Sequence, residues 1–240
     1  MLRCLIGFAA FFLMFAAQGT KTARAATLQD VPASIKLTDT ANSAFMPASQ
    51  HASLFGAGEK ESTNIEPFTK WSDMFRRLQN ATSDPSARPI LAQWKENLES
   101  IRGLPLMEMA TKVNNMINSH PYIEDTINWH KSDYWETPVE FLTRGGDCED
   151  FAIAKYVSLR ALGVPEDRLR ITVLQDVKKG IPHAVLALYT DDDVVILDNQ
   201  IKTIRSSEDI GHYKPIFSIN RTAWWLHTDS ASTLVASAAR

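Results

Sequence analysis

Apolar residues recur at helical spacing as far as Leu162 and at strand spacing after Pro165, with a break at Gly163. Upstream, PFTKWSDMFRRLQN puts Phe68, Trp71, Phe75 and Leu78 on one helical stripe, with Lys70, Asp73, Arg76 and Arg77 off it. ILAQWKENLESI and PLMEMATKVNNMINSH predict two further helices, separated at Gly103 and Pro105 and ended by Pro121. Downstream, LRITVLQDV, HAVLALYT, VVILDN, PIFSI and AWWLH carry strand patterning. Helices followed by strands, rather than the two in alternation, predict an α+β domain with an antiparallel sheet.

The last helix before the break differs from the others. Phe151, Ala152, Ile153, Ala154, Val157, Leu159, Ala161 and Leu162 spread round much of its circumference, which predicts a mostly buried helix from Cys148 to Leu162. Gly145 and Gly146 interrupt the chain just before it, after a segment in which Pro138 suits a first helical turn. Cys148 therefore falls in the first turn of a buried helix, where the helix terminus favours a thiolate. Its neighbours Asp147, Glu149 and Asp150 act the other way, because unpaired carboxylates raise the pKa of a thiol.

Cysteine usage sharpens that conflict. Residues 1–25 read as an export signal, with Arg3, an apolar stretch from Leu5 to Ala17 and a small-x-small site at Ala23-Arg24-Ala25. The apolar stretch is shorter than the roughly 20 residues that span a bilayer, and nothing later is apolar enough to insert. Cleavage before Ala26 removes Cys4 and leaves Cys148 alone, so an internal disulfide is excluded and the thiol is either buried and inert or exposed for a purpose. Residues 26–63 lack a sustained period and are expected to form a loosely structured arm, 64–230 the domain and 231–240 a flexible tail. The chain's 25 basic residues less the signal's 3 leave 22 against 28 acidic ones, a formal charge of about −6. With no basic run carrying interleaved aromatics, nucleic acid is not an expected partner.

A cysteine nucleophile needs a base, and hairpin geometry supplies one. If HAVLALYT and VVILDN pair through a two-residue turn at Thr190-Asp191, His183 lies directly across from Asp198. A turn at Asp191-Asp192 leaves them one diagonal apart on the same face. Either register lets Asp198 orient His183 and completes a Cys-His-Asp set, whereas an odd-length loop would put the two on opposite faces. Ordinary readings stand beside this one: His183 as a histidine at a strand start, Asp198 as a strand-end residue in a turn with Asn199. Two readings also stand for the acids around Cys148. They complement the helix dipole, or with backbone oxygens they hold a hard cation such as Ca²⁺ that reverses the local field. His120, His130, His212 and His227 show no zinc-site spacing, and no phosphate loop or G-x-S-x-G element is present. NRT at 220–222 matches a glycosylation acceptor.

DYWETPVEFLTRGGDCEDFAIAKYVSLRALGV, HAVLAL and VVILDN resemble the bacterial transglutaminase-like cysteine peptidases, the family that includes the periplasmic LapG-type proteases. The resemblance is clearest from Val113 to Asn199. It implies a papain-like or transglutaminase-like core with Cys148 as nucleophile, His183 as general base and acid, and Asp198 as the orienting carboxylate. It also implies calcium beside the cysteine, at positions matching Asp147 and Glu149 with Asp150 as an additional ligand. LapG-type members cleave large surface adhesins and are held inactive by an inner-membrane receptor for cyclic di-GMP. An adhesin-like protein substrate, such a receptor and a periplasmic location are therefore the expected setting. Two alternatives share the fold: acyl transfer to an amine instead of water, and a binding protein without turnover.

Overall fold

The computed structural model describes residues 46–47 and 53–228; the expected export signal at 1–25 and tail at 231–240 lie outside the described residues. Two short strands come first, β1 (Met46–Pro47) and β2 (Gly58–Ser62). Six helices follow: α1 (Thr69–Ala81), α2 (Arg88–Glu99), α3 (Leu106–Ile117), α4 (Asp125–Asn128), α5 (Pro138–Arg144) and α6 (Cys148–Ala161). The remaining strands are β3 (Leu169–Asp176), β4 (Ile181–Tyr189), β5 (Val194–Leu197), β6 (Arg205–Ser206), β7 (Tyr213–Ile219) and β8 (Trp224–Thr228). All join one antiparallel sheet in the order β1-β2-β8-β7-β3-β4-β5-β6. The α+β architecture is the one that the change of period predicts.

The expectation of a loose arm over 26–63 does not hold at its end. Gly58–Ser62 runs antiparallel to β8, from Gly58 opposite Thr228 to Ser62 opposite Trp224. Its sequence, GEKES, has no apolar alternation to betray a strand. Side-chain bonds anchor it instead: Glu59 pairs with the buried Arg170 at 2.9 Å, and Glu61 accepts from the Trp225 indole at 3.0 Å.

Helix α6 packs on β3 and β4 and is covered on its other side by α3 and α5. Phe151, Ile153, Ala154, Tyr156 and Leu159 are all buried, as an apolar circumference requires. The sheet is covered on both faces: Leu186 and Leu188 of β4 join the helical core, whereas Val185, Ala187 and Tyr189 join a second cluster with Leu54, Ile196 and Tyr213. That double burial explains why β4 reads as an unbroken apolar run. Helix α1 buries Trp71 and Met74, and the Trp71 indole donates to the Asn220 carbonyl at 3.1 Å. Asn220 is itself buried, and its side-chain oxygen accepts the backbone N–H groups of Thr222 and Ala223, so the NRT match is the turn between β7 and β8.

The β4–β5 hairpin settles the register left open by the sequence. Tyr189 pairs with Val194 and Leu186 with Leu197. The turn is thus centred on Asp191-Asp192, not Thr190-Asp191, and the Thr190 N–H donates to the Asp193 carbonyl at 2.8 Å. Asp198 lies one diagonal from His183.

Candidate active site

The start of α6 is built by two glycines and one carboxylate. Gly145 has φ +85°, a left-handed conformation that L side chains rarely adopt, and a Cβ there would overlap the Pro121 carbonyl. A Cβ on Gly146 would overlap the Asp150 carboxylate. Asp150, fully buried, accepts the Asp147 N–H at 3.0 Å and the Glu136 N–H at 2.7 Å. It caps the helix and ties it to the preceding segment.

Cys148 is half-buried at the mouth of this helix. It lines a cleft of about 600 Å³ with His183, Ala184, Trp135, Asp147 and Glu149. Burial pushes the thiol pKa well above its usual value, and the charges of Glu149 and Asp147 push it further. The thiol donates to Glu149 Oε2 at 3.1 Å. Trp135 packs edge-on to Trp71, with ring centroids 6.0 Å apart, and lines the cleft.

His183 is 2% exposed, with Nε2 2.8 Å from Asp198 Oδ1. The diagonal therefore suffices for the pair. Asp198 Oδ1 also accepts the Gln200 N–H at 2.8 Å, Oδ2 accepts the Tyr213 hydroxyl at 2.7 Å, and the Asp198 carbonyl accepts from Asn118 at 2.7 Å. Burial works to raise the Asp198 pKa, but the bonds from His183, Gln200 and Tyr213 together hold it below the usual carboxylate value. The side-chain amide of Gln200 approaches His183 Nδ1 at 3.1 Å. Neither Tyr213 nor Gln200 was singled out from the sequence. Gln200 becomes visible once the hairpin register is known, since that register extended by three pairs beyond Leu186–Leu197 sets it opposite His183.

Of the acids expected at Cys148, Asp147 and Glu149 group with the thiol, whereas Asp150, both of whose oxygens accept backbone N–H groups, clusters with Asp125 and Glu136. Ligand oxygens of Asp125, Asp133 and Glu149 lie within 4.8 Å of one another, as do those of Asp125, Glu136 and Asp150, and the ligand atoms of Asp147, Cys148 and Glu149. Asp125 Oδ1, Glu136 Oε2 and Asp147 Oδ1 are buried without a hydrogen-bond partner. Burial, then the charge of Glu149, pushes the Asp147 carboxyl well above the usual carboxylate range. Burial likewise raises Glu136 to about 7 and Asp125 to about 6. Orphaned carboxylate oxygens in a buried cluster fit a hard cation, and the oxygen donors suit Ca²⁺ better than a thiophilic metal. Asp125, Asp133 and Glu136 went unassigned in the sequence, where they are scattered along the segment before α5.

A thiol at the start of a buried helix, facing a histidine–carboxylate pair on an antiparallel sheet, defines a transglutaminase-like cysteine proteinase. Residues 92–232 match the family model described as bacterial transglutaminase-like cysteine proteinase, BTLCP. The chain belongs to that family. Among solved structures, Legionella pneumophila LapG is 34% identical with a TM-score of 0.54, covering 69% of this chain and 94% of that one. The same protein after EGTA treatment matches at 34% identity and 0.53, covering 66% and 91%, and its calcium-bound form at 35% and 0.54, covering 64% and 87%. No match was found among curated proteins. No helix among the described residues is long and apolar enough to cross a membrane.

Proposed function

We propose that the protein is a calcium-dependent periplasmic cysteine endopeptidase that cuts a large surface adhesin or another exported protein. The observation that carries the reading is a single cleft lined by Cys148, His183 and the carboxylates of Asp125, Asp133, Asp147 and Glu149, with Asp125 Oδ1 and Asp147 Oδ1 buried and without a hydrogen-bond partner. Cys148 is the nucleophile, His183 the base and acid, and Asp198 the carboxylate that orients His183 through Nε2. The Sγ proton passes to His183 Nδ1, the thiolate attacks the scissile carbonyl, and His183 returns the proton to the leaving amine. Water then hydrolyses the acyl-enzyme. The Cys148 backbone N–H, in the first turn of α6, is a suitable donor to the developing oxyanion.

Asp147 and Glu149 would hold the calcium ion, with Asp125, Asp133, Glu136 and Asp150 around them. When bound, the ion neutralises the carboxylates that otherwise oppose a thiolate. Support comes from the orphaned oxygens and from the calcium-bound and EGTA-treated forms of the Legionella protein. Control by an inner-membrane cyclic di-GMP receptor and release of cells from a biofilm follow from the LapG-type resemblance.

The test is digestion of a purified exported adhesin, with the new N-termini read by mass spectrometry. The expected result is a discrete cut that disappears with Cys148→Ser and with a chelator. Absence of any cut across exported proteins of the same cell, or a cut indifferent to Cys148→Ser, would overturn the assignment.

A further inference from the structure

With Nε2 engaged by Asp198, Nδ1 is the nitrogen of His183 available to take the Cys148 proton, and it is already occupied. The Gln200 carboxamide Nε2 lies 3.1 Å from it. The orientation of that carboxamide is set from its far end, where the Lys179 ammonium, in the turn between β3 and β4, contacts Gln200 Oε1. An ammonium only donates, so it meets the oxygen and leaves the amide nitrogen facing His183. The Gln200 backbone is pinned as well, its N–H donating to Asp198 Oδ1 at 2.8 Å. Meanwhile the Cys148 thiol donates to Glu149. Nucleophile and base are each engaged with a third group rather than with one another.

We propose that Gln200 is a latch on the general base, its amide occupying the Nδ1 lone pair of His183 in the resting protein and leaving when His183 takes the Cys148 proton. The proposal rests on the reading of His183 as the base. A neutral imidazole with its hydrogen on Nε2 has one in-plane lone pair, on Nδ1. Transfer of the Sγ proton to Nδ1 leaves a thiolate and an imidazolium, and Nδ1 becomes a donor. An amide N–H aimed at that nitrogen is then repelled. Gln200 therefore favours the neutral thiol–imidazole pair over the ion pair. Asp198 already fixes the tautomer through a charge-assisted bond, so the distinct effect of Gln200 is occupancy rather than orientation.

The test compares iodoacetamide alkylation of Cys148 at neutral pH with calcium present in wild type, Gln200→Ala, Lys179→Met, His183→Ala and the Gln200→Ala/His183→Ala double variant. Nitrogen-15 spectra of the histidines report the tautomer without need of reactivity. Gln200→Ala is expected to raise the rate about two- to tenfold, the worth of one neutral hydrogen bond. Lys179→Met shifts it the same way by less, and the Gln200 change has no effect once His183 is alanine. Wild-type Nδ1 is expected to resonate as a hydrogen-bonded acceptor and to lose that bond in Gln200→Ala. An unchanged or lower rate in Gln200→Ala, a rise that persists without His183, or a hydrogen on wild-type Nδ1 overturns the latch. A loss of rate in His183→Ala keeps the base assignment even if the latch falls; an unchanged rate there removes both.

Discussion

At Cys148, burial and the carboxylates of Glu149 and Asp147 all oppose ionisation, so the thiol needs both a base and a neutralising charge. In the proposed mechanism His183 and Asp198, in buried contact at 2.8 Å, meet the first need. Asp198→Asn is expected to reduce turnover by on the order of 10³–10⁴, because the imidazole loses the partner that fixes its tautomer; single-turnover peptide cleavage measures this. Tyr213→Phe removes the donor to Asp198 Oδ2. It is expected to cost about 1–3 kcal/mol in urea unfolding, the penalty of a buried acceptor left unpaired, and to slow cleavage. The principal residues were legible because a lone thiol on a helix start and a His–Asp pair one strand apart are local patterns. Tyr213 and Gln200 were not, because Tyr213 is brought to Asp198 from β7 and Gln200 depends on where the β4–β5 turn is centred.

Among the elements, α6 carries a buried amine at an energetic cost. Lys155 is fully buried in it, its ammonium without a hydrogen-bond partner, and burial lowers its pKa from 10.5 to about 7 despite the opposing pull of Asp198. Between those values the unfolded chain binds the proton that the folded chain does not, so this group's penalty is full below about pH 7 and gone above about 10.5. Lys155→Met is therefore expected to raise the melting temperature by several degrees at pH 6, an effect of a few kcal/mol. The gain should shrink to nothing near pH 10.5; a destabilised variant at pH 6 would contradict it. Gly146→Ala acts at the other end of the helix, where the new methyl meets the Asp150 cap. Weaker calcium binding and a lower melting temperature are expected, read by calorimetry. The apolar circumference announced α6 from the sequence, whereas β2 went unseen because its contacts are Glu59 to Arg170 and Glu61 to Trp225, which no periodicity encodes.

For the molecule as a whole, the acidic cluster joins the segment from Asp125 to Glu136 to the start of α6. Calcium bound there is expected to stabilise the entire fold, by about 2.7 kcal/mol at a hundredfold excess over its dissociation constant. Glu149→Gln should abolish most of that shift. Among the described residues the sheet ends at both edges in two-residue strands, β1 and β6, a length that offers little to a foreign strand. The order of helices and strands and the place of the nucleophile were readable in one dimension. The gathering of Asp125, Asp133 and Glu136 around Glu149 and Asp150 was not, since the bend that brings them there depends on Gly145 and on the Ile123 N–H bonding the Gly146 carbonyl.

The proposed mechanism turns on a thiolate made by His183 and permitted by a cation. Its most direct test is the alkylation rate of Cys148 from pH 5 to 9, in wild type and His183→Ala, each with calcium and with a chelator. Fast reaction well below the ~8.5 of a free thiol is expected only for wild type with calcium, with loss of that reactivity on mutation or chelation. A thiol that is inert in all four conditions, or that titrates as a free cysteine regardless of them, would contradict it.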